Sequence, residues 1–386
     1  MASFDKLSTQ SLWSLMGMTI RNAEKLGLHR DGTILGLSPV DIEDRRRVWW
    51  QLQHIDLALA VRVGLTPMTL TASWDVQLPS NIEDHDINSN SLAIPTERTG
   101  LTSMSYCLFT YWVLNSQRQT FLAKHGRFEL SWQTNPALPG AAKDDMMSQL
   151  RDGINQKFVQ YCDPIKPLDV LLQLFARYFI TGMQLRLLYT RALEQSSGED
   201  RTALLDAATQ SLRYVIAIQT QPSLIQFWWL TKAWFSWQAC EWPSWGTIRI
   251  LIAPVMFVLI EASDQSDMYK AQELWDLLAS VYTANADLLE LAEDRRKLHA
   301  AELIVAAWSA HRTKYDGHQL EDPTFVVEVR QKLAAYCTDP VPETIQTFRQ
   351  ARDNQTVPPD GFSIEGGFDF DMDLQDIDWS FWSSID

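Results

Sequence analysis

The chain has 386 residues, of which 46% are hydrophobic, and its formal net charge at pH 7 is −15. The hydrophobic content supports a packed core and excludes global disorder. The negative charge argues against a general polyanion binder, because phosphate contacts require clustered Lys and Arg. Sixteen glycines, about 4% against a usual ~7%, disfavour loop-rich β architectures. We therefore predict an all-α protein of one large or two ordinary domains.

The cysteines and the N-terminal residues indicate the cellular compartment. The four cysteines, Cys107, Cys162, Cys240 and Cys337, lack the short spacings of structural zinc sites and redox motifs. Reduced thiols are typical of the cytoplasm and the nucleus. The first ten residues do not resemble a signal peptide, and no apolar run reaches the ~20 residues of a membrane span. The sequence therefore predicts a soluble intracellular protein.

Two helices are predicted near the N-terminus. Over residues 8–26, Leu12, Leu15, Met16, Thr19, Ile20 and Ala23 have helical spacing, and Gly27 follows as a C-terminal glycine. This apolar stripe is wide, so we expect helical partners on more than one side. The second helix begins with a Ser38 cap and Pro39, and should end near Arg62.

The second helix is predicted to bury an apolar stripe formed by Val48, Leu52, Ile55 and Leu59, with Trp49 beside it. Asp56 falls at the edge of that stripe, where a carboxylate requires a polar partner. The Arg45–Arg47 triplet is interpreted as structural, pairing with Asp41, Asp44 or Asp56. Nuclear import or phosphate contact is the alternative role for these arginines.

The rest of the chain also has mainly helical patterns. Residues 79–100 are polar and acidic and are predicted to form a surface loop. Helices are predicted over residues 101–122, parts of 142–161, 167–194, 201–219, 248–262, 271–291 and 295–311. Residues 227–245 contain six Trp and two Phe, which we interpret as core, with a ligand-lining aromatic wall as the alternative.

The helical pattern fades after Pro340, and residues 360–386 contain eight acidic residues and no basic one. Acids alternate with large apolar side chains, a composition typical of disordered activation segments. We predict that the aromatics dock into a partner when the segment orders; packing back on the helical body is the alternative. The apolar tail residues are Phe368, Phe370, Met372, Leu374, Ile377, Trp379, Phe381 and Trp382.

The sequence contains no pattern that supports catalysis. His29-Arg30-Asp31 resembles a kinase catalytic loop, but no glycine-rich loop precedes it. Asp144-Asp145 lacks the third acid of an aspartate-rich magnesium motif, and the His299/Glu302 pair is too small a ligand set for zinc. We expect no enzyme activity, no metal site and no cofactor in this chain.

Three segments in fixed order resemble a known family. They are A-x-x-L-G-L-H-R-D from Ala23, an acidic and R-R-R-x-W-W frame over residues 41–50, and D-x-x-L-P-x-N-x-x-D from Asp75. Together they resemble the fungal-specific transcription factor domain of fungal zinc-cluster regulators, most strongly over residues 8–112. The motif residues are Ala23, Leu26, Gly27, His29, Arg30, Asp31, Arg45, Arg46, Arg47, Trp49, Trp50, Asp56, Gly64, Pro67, Asp75, Leu78, Pro79 and Asp84.

This resemblance implies an all-α, multi-helix superhelical regulatory domain over residues 1–340 and a disordered linker and acidic tail over residues 341–386. It implies a nuclear regulator of RNA polymerase II transcription that contacts the transcription machinery or a coactivator, with a metabolic gene cluster as a candidate target. The alternative is a non-activating, ligand-sensing or inhibitory partner of a full-length relative.

The chain departs from the family pattern in one respect. Four cysteines cannot supply the six-cysteine, two-zinc cluster with which the family's usual members read DNA. We therefore expect zinc only in that missing cluster and expect no direct DNA binding by this chain. The expected partner is a full-length zinc-cluster relative, which would supply the DNA contact, or a second copy in a homodimer. The chain is either a shortened accessory regulator or part of the product of a longer gene. We also expect the first helix to keep part of its apolar face uncovered.

Overall fold

The computed structural model describes residues 9–63, 67–68, 73–125, 132–133, 135, 137–194, 198–227, 230, 252–265, 267–289, 295–315 and 320–338. Across these ranges the secondary structure is helical and contains no strand. The prediction of an all-α fold is therefore confirmed. The chain divides into two compact units, Met1–Pro254 and Val255–Asp386.

The α-helices in chain order are α1 (Thr9–Lys25), α2 (Pro39–Val63), α3 (Ser105–His125), α4 (Gly140–Lys157), α5 (Pro167–Glu194), α6 (Gly198–Thr220), α7 (Ile252–Asp264), α8 (Met268–Ala284), α9 (Arg295–Lys314) and α10 (Thr324–Thr338). Short 3-10 helices span Asp84–Asp86, Val159–Tyr161, Pro222–Phe227 and Ala286–Leu289. None of the helices in these described ranges combines the length and apolar character that crossing a bilayer requires.

The end of α1 is set by Gly27, which has a φ of 70°. Its backbone N–H donates to the carbonyl of Glu24, and the N–H of Leu28 donates to the carbonyl of Ala23, both at 2.9 Å. This is the Schellman pattern, in which a left-handed residue closes the helix and satisfies its last carbonyls. Leu28 is thereby turned toward a cluster of buried aromatic residues.

The start of α2 follows the predicted capping. Ser38 Oγ accepts a hydrogen bond from the Asp41 backbone N–H at 3.3 Å and donates to the Asp41 carboxylate at 2.6 Å. Pro39 occupies the first helical position, where its missing N–H would in any case have no partner inside the helix.

The predicted apolar stripe of α2 is partly wrong. Val48 and Ile55 are 47% and 36% exposed, while Leu59 is buried. The buried face instead carries polar side chains beside the Trp pair, and its members are Ile42, Glu43, Arg46, Trp49, Trp50, Gln53, Asp56, Leu59 and Ala60. Hydropathy therefore misplaced part of the buried face, because Glu43 and Arg46 meet hydrogen-bonding partners in the interior.

Tryptophans dominate the core of the first unit. Trp50 packs edge-on against Trp74 at 5.3 Å between ring centroids, and Trp49 packs against Trp74 at 6.1 Å. Met16 and Ile20 of α1 pack with Leu59 of α2 in a second cluster. On the other side of α1, Leu15 and Met18 are exposed, which fits the expected uncovered apolar face.

The rest of the first unit is a helical assembly in which α3 packs on α2 and α4, α4 packs on α5, and α5 packs along α6. In the second unit, α10 packs on α8 and α9. There Trp275 and Trp308 meet edge-on at 4.9 Å, and Asp322 accepts from Trp308 Nε1 at 2.8 Å and from Arg330 at 2.8 Å.

Several sequence predictions fall outside the described residues. They include most of the aromatic segment 227–245, the domain boundary at residue 340 and the whole acidic tail. These stay predictions.

Replacing Gly27 with alanine should destabilise the first unit by about 1 kcal/mol, because a Cβ is disfavoured at a φ of 70°. Gly182 provides the control, since it lies inside α5 and an added Cβ there meets no atom within 4 Å. Gly182→Ala should stabilise the unit by up to ~1 kcal/mol. Urea unfolding followed by circular dichroism measures both, and equal shifts would contradict the assigned turn.

Candidate functional site

Three chain segments that carry motif residues converge on the carboxylate of Asp31, which is 1% exposed. Arg46 of α2 donates from Nε to Oδ2 at 2.8 Å and from Nη2 to Oδ1 at 3.0 Å. Thr33 donates to Oδ1 from its backbone N–H at 3.0 Å and its hydroxyl at 2.6 Å, and the Gln77 backbone N–H donates to Oδ2 at 2.9 Å. One carboxylate thus joins three chain segments: the turn after α1, α2 and the segment around residue 77.

The hydrogen bonds keep Asp31 ionised. Burial alone would raise the pKa of the Asp31 carboxyl, but the bonds from Arg46, Thr33 and Gln77 outweigh burial and hold this pKa well below its usual range. Arg46 is itself 4% exposed, and its Nη2 also donates to Gln77 Oε1 at 3.0 Å. Asp31 and Arg46 therefore form a buried bidentate ion pair, with one hydrogen bond to each carboxylate oxygen.

The other two arginines of the triplet also have structural partners. Arg45 donates from Nη2 to the carbonyl of Leu26 at 3.0 Å, at the end of α1. Arg47 donates to Glu43 at 2.9 Å and to Asp84 at 2.7 Å. We expected Asp41, Asp44 or Asp56 as partners, whereas the acids that the triplet contacts are Asp31, Glu43 and Asp84. These contacts support the structural interpretation of the triplet over phosphate contact.

Residues 73–80 form an extended segment that lies between the turn after α1 and α2. Trp74 and Val76 are buried, which places Asp75 and Gln77 on the opposite side. Asp75 accepts from the Asp31 backbone N–H and from Arg30 Nε, both at 2.7 Å. Trp50 Nε1 donates to the carbonyl of Gln77 at 2.8 Å. Hydrogen bonds with side chains therefore satisfy backbone groups of this extended segment.

The acidic loop after this segment is also ordered by hydrogen bonds. Ser80 donates from its backbone N–H to Glu43 at 3.1 Å. Asn81 donates to the carbonyls of Arg98 and Gly100, each at 2.8 Å. Arg98 pairs with Asp86 and lowers its pKa to about 2. The loop is thus a fixed extension of the motif network.

The structure places the remaining motif residues as follows. Ala23, Trp49 and Trp50 belong to the aromatic core, and Leu78 packs against it. The His29 carbonyl accepts from Asp75 at 3.3 Å. Asp56, Pro67 and Pro79 are buried, whereas the Leu26 side chain is 70% exposed and contributes its carbonyl. Gly64 and the eight tail residues lie outside the described residues.

Sequence reasoning missed Thr33 and Gln77, and it noted Glu43 only as part of the acidic frame. Gln77 uses its N–H, its carbonyl and its side-chain oxygen in the network. The alternation of Trp74, Asp75, Val76 and Gln77 was the available signal, because it predicts an extended segment with one polar side.

The chemistry of the network is that of a scaffold. Its acids accept from fixed donors, and within the described parts of the chain no group of three or more His, Cys, Asp or Glu could hold a metal ion. The sequence contains four cysteines, two fewer than the six-cysteine zinc cluster of the family's usual members requires.

Asp31→Asn should destabilise the first unit by about 3 kcal/mol or more, because it leaves the buried Arg46 guanidinium without its counter-charge. The matched control is Asp144→Asn, which removes a pair whose partners, Arg191 and Asp144, are 33% and 54% exposed. An exposed pair contributes less than ~1 kcal/mol. Chemical denaturation compares the two, and similar losses would contradict the central position of Asp31.

His54 of α2 should make the first unit less stable in mild acid. Burial lowers the pKa of His54 to about 4. Between about pH 6.5 and pH 4, the unfolded state therefore binds a proton at His54 that the folded state does not bind. The resulting loss between pH 6.5 and 4 should be of the order of 2 kcal/mol. His54→Gln should flatten this part of the stability profile; an unchanged profile would show that His54 titrates normally.

Comparison with known proteins gives the family of the N-terminal region. Residues 2–114 match the family model "Fungal specific transcription factor domain". The matched range contains all the motif residues from Ala23 to Asp84, and therefore the whole network around Asp31. No solved structure matches the chain.

The curated relatives are fungal regulators. Pyriculol/pyriculariol biosynthesis cluster transcription factor 1 of Pyricularia oryzae is 31% identical over 170 residues, covering 41% of this chain and 22% of its own. The transcriptional regulator nsrM of Aspergillus novofumigatus is 24% identical over 341 residues, covering 84% and 42%. Aurofusarin cluster transcription factor aurR2 of Gibberella zeae is 25% identical over 313 residues, covering 78% and 43%.

The chain thus spans less than half the length of these relatives. The family match and the motif network nevertheless agree on the same residues. Over residues 2–114, the chain is similar to the fungal specific transcription factor domain family.

Proposed function

We propose that this chain regulates RNA polymerase II transcription in the nucleus, as a regulator of the fungal zinc-cluster type. The observation that carries the proposal is the match over residues 2–114, a range that contains the hydrogen bonds of Arg46 with Asp31 and of Arg47 with Asp84. In this function the helical body is the regulatory part, and the acidic aromatic tail contacts the transcription machinery or a coactivator.

The target genes are proposed to be those of a biosynthetic cluster. Two of the relatives described above are named as transcription factors of the pyriculol/pyriculariol and aurofusarin clusters. Both names refer to a cluster, which supports the same kind of target here without indicating the product.

DNA contact is proposed to come from outside these 386 residues. The net charge of −15 opposes phosphate binding, and four cysteines cannot form the six-cysteine cluster. A full-length zinc-cluster relative or a complex of two copies bound to such a relative would place the chain at a promoter. The proposal assigns neither a cofactor nor a catalytic step to the chain.

The test places the full chain at a reporter promoter by fusion to an unrelated DNA-binding domain. The fusion should activate the reporter, and replacing Phe368, Phe370, Trp379, Phe381 and Trp382 together with alanine should reduce output to background. These aromatics supply the apolar contact area that docks into a coactivator. Reporter output is normalised to fusion abundance by immunoblot.

The matched control replaces Gln375, Ser380, Ser383 and Ser384 of the same tail with alanine, which keeps every aromatic and every acid. This variant should retain activity. Full activity of the five-alanine variant would contradict the role of the tail. A silent parent fusion would contradict activation and would favour a non-activating partner that senses a ligand or inhibits a full-length regulator.

A further inference from the structure

A pocket of about 290 Å³ opens beside the motif network, between the loop of residues 97–101, α3 and the end of α4. For comparison, a buried apolar cavity of about 150 Å³ accommodates benzene. The volume therefore suits one aromatic ring with a short side chain.

The apolar wall of the pocket is preformed. Leu108 and Phe158 are buried, and Trp112 meets Phe158 at 6.0 Å between ring centroids. Trp112 also lies directly over Gly153, where an added Cβ would approach its Cη2 atom to 2.4 Å. The glycine thus permits the close packing that fixes the Trp112 ring as a pocket wall. Flat aromatic surfaces of this kind favour an aromatic guest.

The pocket also has one available charge of each sign. Arg98 lines it, but its guanidinium is committed to Asp86 through two hydrogen bonds. Glu97 and Lys157 line it as well, and neither forms an ion pair with another of the residues that the structure describes. The Lys157 ammonium lies 6.0 Å from the Trp112 ring centroid, at the edge of the aromatic wall.

We propose that this pocket binds a small aromatic zwitterion, a molecule with the chemistry of an aromatic α-amino acid. The ring packs against Trp112 and Phe158, the carboxylate pairs with Lys157, and the ammonium pairs with Glu97. An α-amino acid carries both charges on one carbon, at the opposite end from the ring, and a charge-assisted hydrogen bond to each charge adds specificity to the apolar contact.

The position of the pocket connects its occupant to the motif network. Asn81, which lines the pocket, donates to the carbonyls of Arg98 and Gly100 and accepts from the Thr102 hydroxyl at 2.8 Å. A bound ligand therefore contacts the loop that Asn81 ties to the segment after Gln77. Binding does not rest on transcriptional activity, so its failure would leave the proposed function standing.

The test is calorimetric titration of the full chain with three probes that share a phenyl ring and a short chain. L-Phenylalanine carries both charges, 3-phenylpropionate only the negative one and 2-phenylethylamine only the positive one. L-Phenylalanine should bind at least about fivefold more tightly than either relative. Lys157→Gln should remove its advantage over 2-phenylethylamine, and Glu97→Gln its advantage over 3-phenylpropionate.

The controls are Lys270→Gln and Glu273→Gln, which neutralise exposed residues of α8 in the other compact unit. Both should leave all three affinities unchanged. No binding of any probe at millimolar concentration, equal affinity for the three probes, or binding that is insensitive to Lys157→Gln and Glu97→Gln would each overturn the proposal.

Discussion

The buried ion pair between Asp31 and Arg46 is the constraint on which the first unit depends. A buried pair adds little net stability relative to well-packed apolar residues, but removing one partner costs ~3–5 kcal/mol. Asp31 also accepts hydrogen bonds from Thr33 and Gln77, and Arg46 donates to the Gln77 side chain. The pair therefore acts mainly on specificity: it allows one arrangement of the turn after α1, α2 and residues 73–80, and penalises the others.

Much of this arrangement could be predicted from sequence, but the contacts could not. The Gly27 turn and the Ser38-Pro39 start are local signals, and both are present in the structure. The buried face of α2 was mispredicted because long-range partners make Arg46 and Glu43 interior residues, and hydropathy cannot register a partner that lies 15 or more positions away. The family resemblance identified Asp31, Arg46 and Asp75 without indicating which of them meet.

The network extends from the core to surfaces that a regulator can use. Glu43 of α2 accepts hydrogen bonds from the Ser80 backbone N–H and from Arg47. The neighbouring Asn81 donates to the Arg98 carbonyl and so fixes the loop at residues 98–100. That loop forms one side of the 290 Å³ pocket, whose aromatic wall belongs to α3 and its neighbours. Through these contacts, a ligand in the pocket would be energetically coupled to the motif residues, because coupling between sites requires elements with discrete packed arrangements.

The most direct test of this account is a double-mutant cycle on the ion pair, with Asp31→Leu, Arg46→Met and both together, measured by chemical denaturation of the full chain. Each single change strands one buried charge, whereas the double change removes both. We predict a coupling free energy of at least ~2 kcal/mol, with the double variant more stable than either single variant. Additive losses, with coupling below ~0.5 kcal/mol, would contradict the central role of the Asp31–Arg46 pair.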